Sequence, residues 1–181
     1  AMSKSVQVRF GGFGGQGIVL AGLLLGRAAT FDGKFVAGSN SYGAQARGSA
    51  CQSEVVISEG PIDFPHVTVP DIVGVMSQRA YDLFCHQVAR GGLIFYDSQF
   101  ITPARRRGVV DVPATAVALR DVGDKRVANV ILLAAVVAKT GIISQKALLR
   151  AIDESVKGEF LEPNRKAVAL GFDYKDKAHE E

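Results

Sequence analysis

Paired cysteines are missing from this chain. Its 181 residues include only Cys51 and Cys85, and no C-x-x-C spacing occurs. Neither an iron–sulfur cluster nor a zinc ribbon can be built from two isolated thiols. Neither cysteine has a local His or Asn that would mark it as a nucleophile. Histidine is scarce too: His66, His86 and His179 stand apart from other ligand types, which argues against a metal site. G-x-S-x-G, Walker A and H-E-x-x-H sequences are all lacking, so no catalytic residue is assigned.

Long apolar runs are also lacking. The longest, Val127 to Ala138, is interrupted by Asn129. A membrane span needs about 20 apolar residues, so this run reads as a helix buried inside the protein. Charge of one sign is missing as well. Lys and Arg number 21 against 18 Asp and Glu, a formal balance of +3. Basic residues are scattered apart from Arg105-Arg106-Arg107, which sits between Pro103 and Gly108 and reads as a solvated turn. Nucleic-acid binding therefore gains no support. No signal peptide is apparent before the first strand, and the expectation is a reducing cytoplasm with free thiols. Ala1 before Met2 reads as a scar of tag removal, and residues 1–5 are left out of the fold reasoning.

What is present is apolar mass and glycine. Hydrophobic residues make up 48% of the chain, enough to bury a substantial core within one domain spanning 1–181. Val6 to Phe10 reads as a first strand and Ile18 to Thr30 as the helix after it. Lys34 to Ala37 looks like a short second strand, and Gly38-Ser39-Asn40-Ser41-Tyr42-Gly43 a loop by composition. Ala50 to Ser58 alternates with period 2: Cys51, Ser53, Val55 and Ile57 point one way, Gln52, Glu54 and Val56 the other. Pro61, Pro65 and Pro70 mark an extended connection. Asp71 to Met76 is a buried strand, Ser77 an N-cap, and the helix behind it runs to about Ala89 before Gly91-Gly92. Leu93 to Tyr96 and Val109 to Val112 are further strands. Helices over Thr115–Arg120, Arg126–Lys139, Ser144–Val156 and Pro163–Leu170 close the chain, and a charged tail follows from Asp173 to Glu181. Strands alternating with helices predict a three-layer α/β/α sandwich, Rossmann-like, with a mostly parallel sheet.

The most informative local feature is Phe10-Gly11-Gly12-Phe13-Gly14-Gly15-Gln16-Gly17. Gly12, Gly14 and Gly17 satisfy G-x-G-x-x-G between a strand and a helix. Such a turn lets backbone N–H groups and a helix dipole face an anion, typically a diphosphate. The acidic residue that would grip a ribose at the end of the second strand is not evident, since Asp32 precedes that strand. Two readings fit: a phosphate contact, or glycines that only allow close packing of strand, helix and a neighbouring chain. Tyr42 to Gly48 carries an aromatic, an amide and a guanidinium. Arg47 suits a phosphate or carboxylate bidentately, although composition alone favours an ordinary surface ion pair. Asn129, among Val127, Ala128, Val130 and Ile131, must find hydrogen-bond partners and is expected to tie its helix to nearby backbone.

Several segments together resemble the gamma subunits of 2-oxoacid:ferredoxin oxidoreductases. Gly12-Phe13-Gly14-Gly15-Gln16-Gly17 with its Ala/Leu/Gly helix is similar to that family's G-x-G-G-Q-G opening. Tyr42-Gly43 with Arg47-Gly48 resembles its Y-G-x-x-x-R-G segment. Val112-Pro113-Ala114-Thr115, Arg126-Val127-Ala128-Asn129, and Asn164 with Ala167 and Gly171 fit in order. Gln45 and Ser49 depart from the pattern, where many members carry an acid and a glycine. The resemblance implies an assembled enzyme, cytoplasmic and hetero-oligomeric, that decarboxylates a 2-oxoacid, 2-oxoglutarate being the expected one, on thiamine diphosphate. Electrons then pass through iron–sulfur clusters to ferredoxin, and an acyl-CoA forms. Thiamine diphosphate, Mg and clusters are implied for partner alpha and beta subunits, with a ferredoxin-like delta subunit also implied. This chain would be inactive alone. Its implied cofactor contact is with coenzyme A, through Gly12, Gly14, Gly15, Gln16, Gly17, Tyr42, Arg47 and Gly48. Isolated, it is expected to expose an apolar patch and to form a non-physiological homodimer in a crystal. The alternative is a stand-alone nucleotide- or flavin-binding α/β protein.

Overall fold

The computed structural model describes residues 5–42, 50–104 and 107–174. Arg47 and Gly48, with Gly43, Gln45 and Ser49, lie outside them, as do Arg105, Arg106 and the tail beyond 174. Six strands form one sheet: β1 (Ser5–Phe13), β2 (Phe35–Tyr42), β3 (Ala50–Ser58), β4 (Ile72–Val75), β5 (Leu93–Asp97) and β6 (Val109–Val112). Their order is β2-β3-β1-β4-β5-β6. β4 pairs parallel with β1, β5 with β4, and β6 with β5, whereas β3 runs antiparallel to both β1 and β2. β2 therefore points the same way as β1, and β3 alone is reversed. The mostly parallel α/β expectation holds.

Alternation along β1 sorts the layers. Val8 and Phe10 face one side, under α1 (Ile18–Phe31) and α4 (Ala128–Thr140). Gly11 faces the other, under α2 (Gln78–Phe84), where a Cβ would stand 3.1 Å from that of Ala80 and nearer still to the Phe84 ring. Short α3 (Ala114–Val117), α5 (Gln145–Ser155) and α6 (Leu161–Phe172) complete the set. α4 is buried along Ala128 to Ala138, so its apolar run is a core helix. No helix of the described residues is long and apolar enough to cross a membrane.

Three expectations change. Gly38 to Tyr42 is strand, not loop: β2 pairs with β3 without a break from Phe35 to Tyr42. A neighbouring strand overrides the weak β propensity of Gly, Ser and Asn. α2 stops at Phe84, several residues short of Ala89. Ser77 does cap it, its Oγ accepting from the Ala80 N–H at 3.2 Å. The helix expected over Thr115–Arg120 is instead one turn of α-helix followed by a wider π-type turn over Ala118–Val122, closed by Gly123.

One ion pair lies inside the sheet, between β1 and β3. Arg9 and Glu54 stand opposite each other on β1 and β3, 2.7 Å apart, with side chains 8% and 12% exposed. The guanidinium also donates to Gln87 and lies 5.1 Å from the Phe84 ring centre.

Candidate functional site

β1 continues past Phe10 as far as Phe13, so Gly12 lies within the strand and the turn proper is Gly14 to Gly17. Gly15 and Gly17 have φ of 87° and 74°. L side chains rarely adopt that left-handed region, which explains glycine at both. Gln16 braces the turn from inside. Its Oε1 accepts from the Phe13 N–H at 2.7 Å, and its Nε2 donates to the Met76 carbonyl at 2.9 Å. Met76 follows β4, so one amide ties the carboxyl ends of two parallel neighbours. A Cβ on Gly12 would stand 2.5 Å from that Oε1, so Gly12 makes room for the brace.

Asn129 locks the far end. Its Nδ2 donates to the Gly17 carbonyl at 3.0 Å, and a Cβ on Gly17 would lie 2.7 Å from its Cγ. The expected tie between α4 and nearby backbone is thus present. Asn129 Oδ1 is buried without a hydrogen-bond partner.

Gly17 is the N-cap of α1, and no side chain caps that end or adds an acid to its first turn. The positive end of this 14-residue helix is thus neutralised neither by a capping side chain nor by an acid of its first turn. Among the described residues, no atom lies within 4 Å of where a Cβ on Gly14 or Gly15 would project, so these residues leave the backbone there open to approach. Connectivity places this turn at a switch point. From β1 the chain leaves through α1 toward β2 on one side, whereas β4 lies on the other and leads to β5. Ligands of open α/β sheets settle at such a divergence of carboxyl ends.

Tyr42 lies at the same edge. Tyr42 and Gly12 both align with Cys51, so the three share a row across β2, β3 and β1. Two strand spacings separate the outer pair, about 9.6 Å. Tyr42 is 67% exposed. Cys51 between them is buried, and burial pushes its thiol above the usual range. The shift favours the protonated thiol at neutral pH. The structure thus gathers Gly12, Gly14, Gly15, Gln16, Gly17 and Tyr42 at one edge.

Two neighbouring features escaped the sequence. A hollow of about 320 Å³ adjoins the first turn of α1 at Leu20 and is lined by Arg126, Lys157, Phe160 and Asn164. Arg126 lies 4.7 Å from the Phe160 ring centre and is held by Asp124, whose carboxyl its hydrogen bonds keep below the usual range. Asp97 ends β5 fully buried. Its Oδ2 accepts from Thr115 Oγ1 at 2.6 Å and from the Thr115 N–H at 3.1 Å, which fixes the start of α3. Burial raises its pKa, against the lowering effect of the Thr115 and Gln99 donors. An acid ending a strand, followed by Pro113-Ala114-Thr115, was the available signal. A roomier groove of about 440 Å³ lies away from the turn, between α1 and β2. Asp32, the misplaced ribose candidate, bolts α5 to α1: its Oδ2 accepts from the Ser144 N–H at 2.6 Å.

This frame can be compared with known proteins. The family described as pyruvate ferredoxin/flavodoxin oxidoreductase matches residues 7–174. The chain belongs to that family. It is 40% identical to the 2-oxoglutarate synthase subunit KorC of Methanocaldococcus jannaschii over 92% of each chain. The keto/oxoacid ferredoxin oxidoreductase gamma subunit of Geobacter sulfurreducens shares the fold at a TM-score of 0.85 and 36% identity, covering 95% of this chain and 97% of that one. A 2-oxoglutarate:ferredoxin oxidoreductase of Magnetococcus marinus, solved with 2-oxoglutarate, coenzyme A and succinyl-CoA, shares the fold alone: TM-score 0.85, 20% identity, 98% of this chain and 32% of that one. Ketoisovalerate oxidoreductase and pyruvate synthase subunits are similar too. The chain is therefore of the gamma-subunit type of 2-oxoacid:ferredoxin oxidoreductases.

Proposed function

We propose that this chain serves a multi-subunit enzyme that converts 2-oxoglutarate and coenzyme A to succinyl-CoA and carbon dioxide, reducing ferredoxin. The 2-oxoglutarate reading rests on the KorC likeness at full length. Alpha and beta subunits carry thiamine diphosphate and Mg, iron–sulfur clusters sit on partner chains, a ferredoxin-like delta subunit completes the assembly, and the whole works in the cytoplasm. Among the described residues, no three His, Cys, Asp or Glu side chains gather as metal ligands. The gamma chain alone turns over no oxoacid.

The role proposed for this chain is to hold coenzyme A at its diphosphate. The observation that carries it is the bare N-terminus of α1 behind an open glycine turn, at the sheet's switch point. Backbone N–H groups of the turn would donate to phosphate oxygens, and the helix dipole would favour the charge. Gln16 and Asn129 each spend one amide N–H on the turn, at the Met76 and Gly17 carbonyls, and so keep it in shape, while Gln16 retains a second N–H for the proposed ligand contact. Tyr42 is proposed to meet an adenine or pantetheine arm, and Arg47 and Gly48, which lie outside the described residues, are proposed as further contacts. Coenzyme A supplies the thiol that carries the acyl group away, and this chain's share is to bind and orient it.

The test compares the isolated chain with the reconstituted complex. Acceptor reduction with 2-oxoglutarate and coenzyme A should appear only when the other subunits are added. Turnover by this chain alone would end the subunit reading. An unchanged Michaelis constant for coenzyme A in a folded Gly14→Val complex would end the binding role.

A further inference from the structure

β2 is an open sheet edge. Among the described residues, no strand pairs with its outer side. Its eight residues, Phe35-Val36-Ala37-Gly38-Ser39-Asn40-Ser41-Tyr42, contain no charge and no proline, and they pair with β3 without a bulge. Proteins normally blunt such an edge with exactly those missing devices. Apolar groups cluster around it: Phe35 is 49% exposed, Tyr42 67%, and Leu23 on α1 50%. Between α1 and this strand runs the 440 Å³ groove, lined by Val19, Gly22, Leu23, Gly26, Arg27 and Val36 among others.

The positions along the groove are fixed by two close approaches. A Cβ on Gly26 would touch Val36 at 3.4 Å, and one on Gly22 would press on Ser53, the partner of Asn40. Leu23 therefore stands level with Gly38, at the middle of the strand. Val19 lies toward the Tyr42 end and Arg27 toward the Phe35 end.

We propose that this edge is the interface for a second copy of the chain, the two β2 strands pairing antiparallel into one continuous sheet. A two-fold axis perpendicular to the sheet, centred at Gly38 or Ser39, is the symmetry that pairs a strand with itself without exchanging its faces. It sets Leu23 across from Leu23 of the other copy, over the strand pair. It sets Arg27 across from Val19, so the cation does not meet its own copy. The helices α1 of the two copies then stand about three strand spacings apart, ~14 Å, a gap that two leucine side chains fill. A strand of eight residues is about 27 Å long. With the groove beside it, pairing buries an area on the order of 1,000 Å², the threshold for a stable contact. The inference does not depend on the oxidoreductase reading, because it uses only the edge and the groove.

The test uses the full chain in solution. Sedimentation equilibrium across the micromolar range should show a monomer–dimer equilibrium. Leu23→Glu sets two carboxylates against each other across the axis and should weaken the dimer by about tenfold or more. Paired residues at the axis have Cα atoms about 4.5–5.5 Å apart, within disulfide range. Gly38→Cys or Ser39→Cys should therefore cross-link on oxidation, whereas Leu83→Cys on α2 should not. This arm also holds if Leu23→Glu folds poorly. A monomer at every concentration would overturn the proposal. So would a dimer that Leu23→Glu leaves intact and neither axial cysteine traps. A monomeric chain whose Leu23→Glu variant fails only to join the other subunits would give the edge to another chain, and the second copy would be abandoned.

Discussion

Substituting Gly14 and Gly17 separates ligand contact from architecture. Gly17→Ala meets two penalties. Its φ of 74° lies in the left-handed region, where an L side chain costs about 1–2 kcal/mol. Its Cβ would also displace the Asn129 amide from the Gly17 carbonyl. Losing that hydrogen bond costs about 1 kcal/mol, and stranding a buried donor costs about 1–3 kcal/mol more. The sum is about 3–6 kcal/mol, a large part of the ~5–15 kcal/mol that holds an ordinary domain together. Gly14 meets neither penalty: its φ is not left-handed, and nothing lies within 4 Å of an added Cβ. Gly14→Val should leave the unfolding midpoint within about 0.5 kcal/mol of wild type, as surface changes usually do. In the assembled enzyme it should nevertheless raise the Michaelis constant for coenzyme A. Blocking one charge-assisted donor to phosphate is worth about 1.5–3 kcal/mol, or ~10–150-fold. Urea titrations of the isolated variants and coenzyme A titrations of the complexes measure the two effects. A Gly14→Val enzyme with wild-type coenzyme A dependence would leave the glycines an architectural role only. A Gly17→Ala chain destabilised by under about 1 kcal/mol would refute the Asn129 lock.

Other outcomes follow from the buried charges. Glu54→Gln leaves the Arg9 guanidinium without its carboxylate inside the sheet and should cost about 3–5 kcal/mol in urea unfolding; a loss under ~1 kcal/mol would show that water reaches the pair. Asp97 has a folded pKa raised by burial, so its contribution is fully present below its unfolded pKa and is lost as pH rises through the folded one. Asp97→Asn should accordingly gain stability relative to wild type between acid and neutral pH. A wild-type-minus-variant difference that does not change with pH would contradict the raised pKa. Thr115→Val removes the 2.6 Å donor that favours the ionised form, and should steepen the same loss in a thermal-melt series against pH.

Much of the fold was legible because most of its strands and helices state their own pattern. The period-2 run of Ala50 to Ser58 gave β3 to the residue, and Ser77 and Ser144 cap the helices they precede, with Gly141 closing α4. Asn129 was legible for a different reason. An amide within an apolar helix must find a partner, and Asn129 finds the Gly17 carbonyl at the start of α1, which also accepts from the Ala21 N–H. The elements that were misread are those whose identity is set elsewhere in the chain. Gly38 to Tyr42 has a loop's composition and becomes a strand because β3, which has a strong pattern, pairs with all of it. The end of α2 was invisible since nothing in Phe84 to Ala89 breaks a helix by propensity.

The candidate site divides along the same line. The glycines announced a turn near an anion, and their left-handed angles at Gly15 and Gly17 agree with that. The glycine string cannot distinguish glycines that open a path from glycines that admit a neighbour, since both lack a Cβ. Three-dimensional surroundings do: Gly12 makes room for Gln16 and Gly17 for Asn129, whereas Gly14 and Gly15 face open space. Gly12 and Gly17 are thus accounted for by packing and Gly15 by its left-handed angle, which leaves Gly14. Gly14 sits in front of a helix terminus that no side chain of its own caps. Packing itself accounts for the missing cap: a Ser, Thr, Asp or Asn at Gly17 would gain about 1 kcal/mol as a cap but would strain the left-handed angle and displace Asn129. The terminus left bare in this way favours a ligand that brings its own negative charge, and Gly14, which neither a backbone angle nor a close neighbour requires to be glycine, is the first substitution to make.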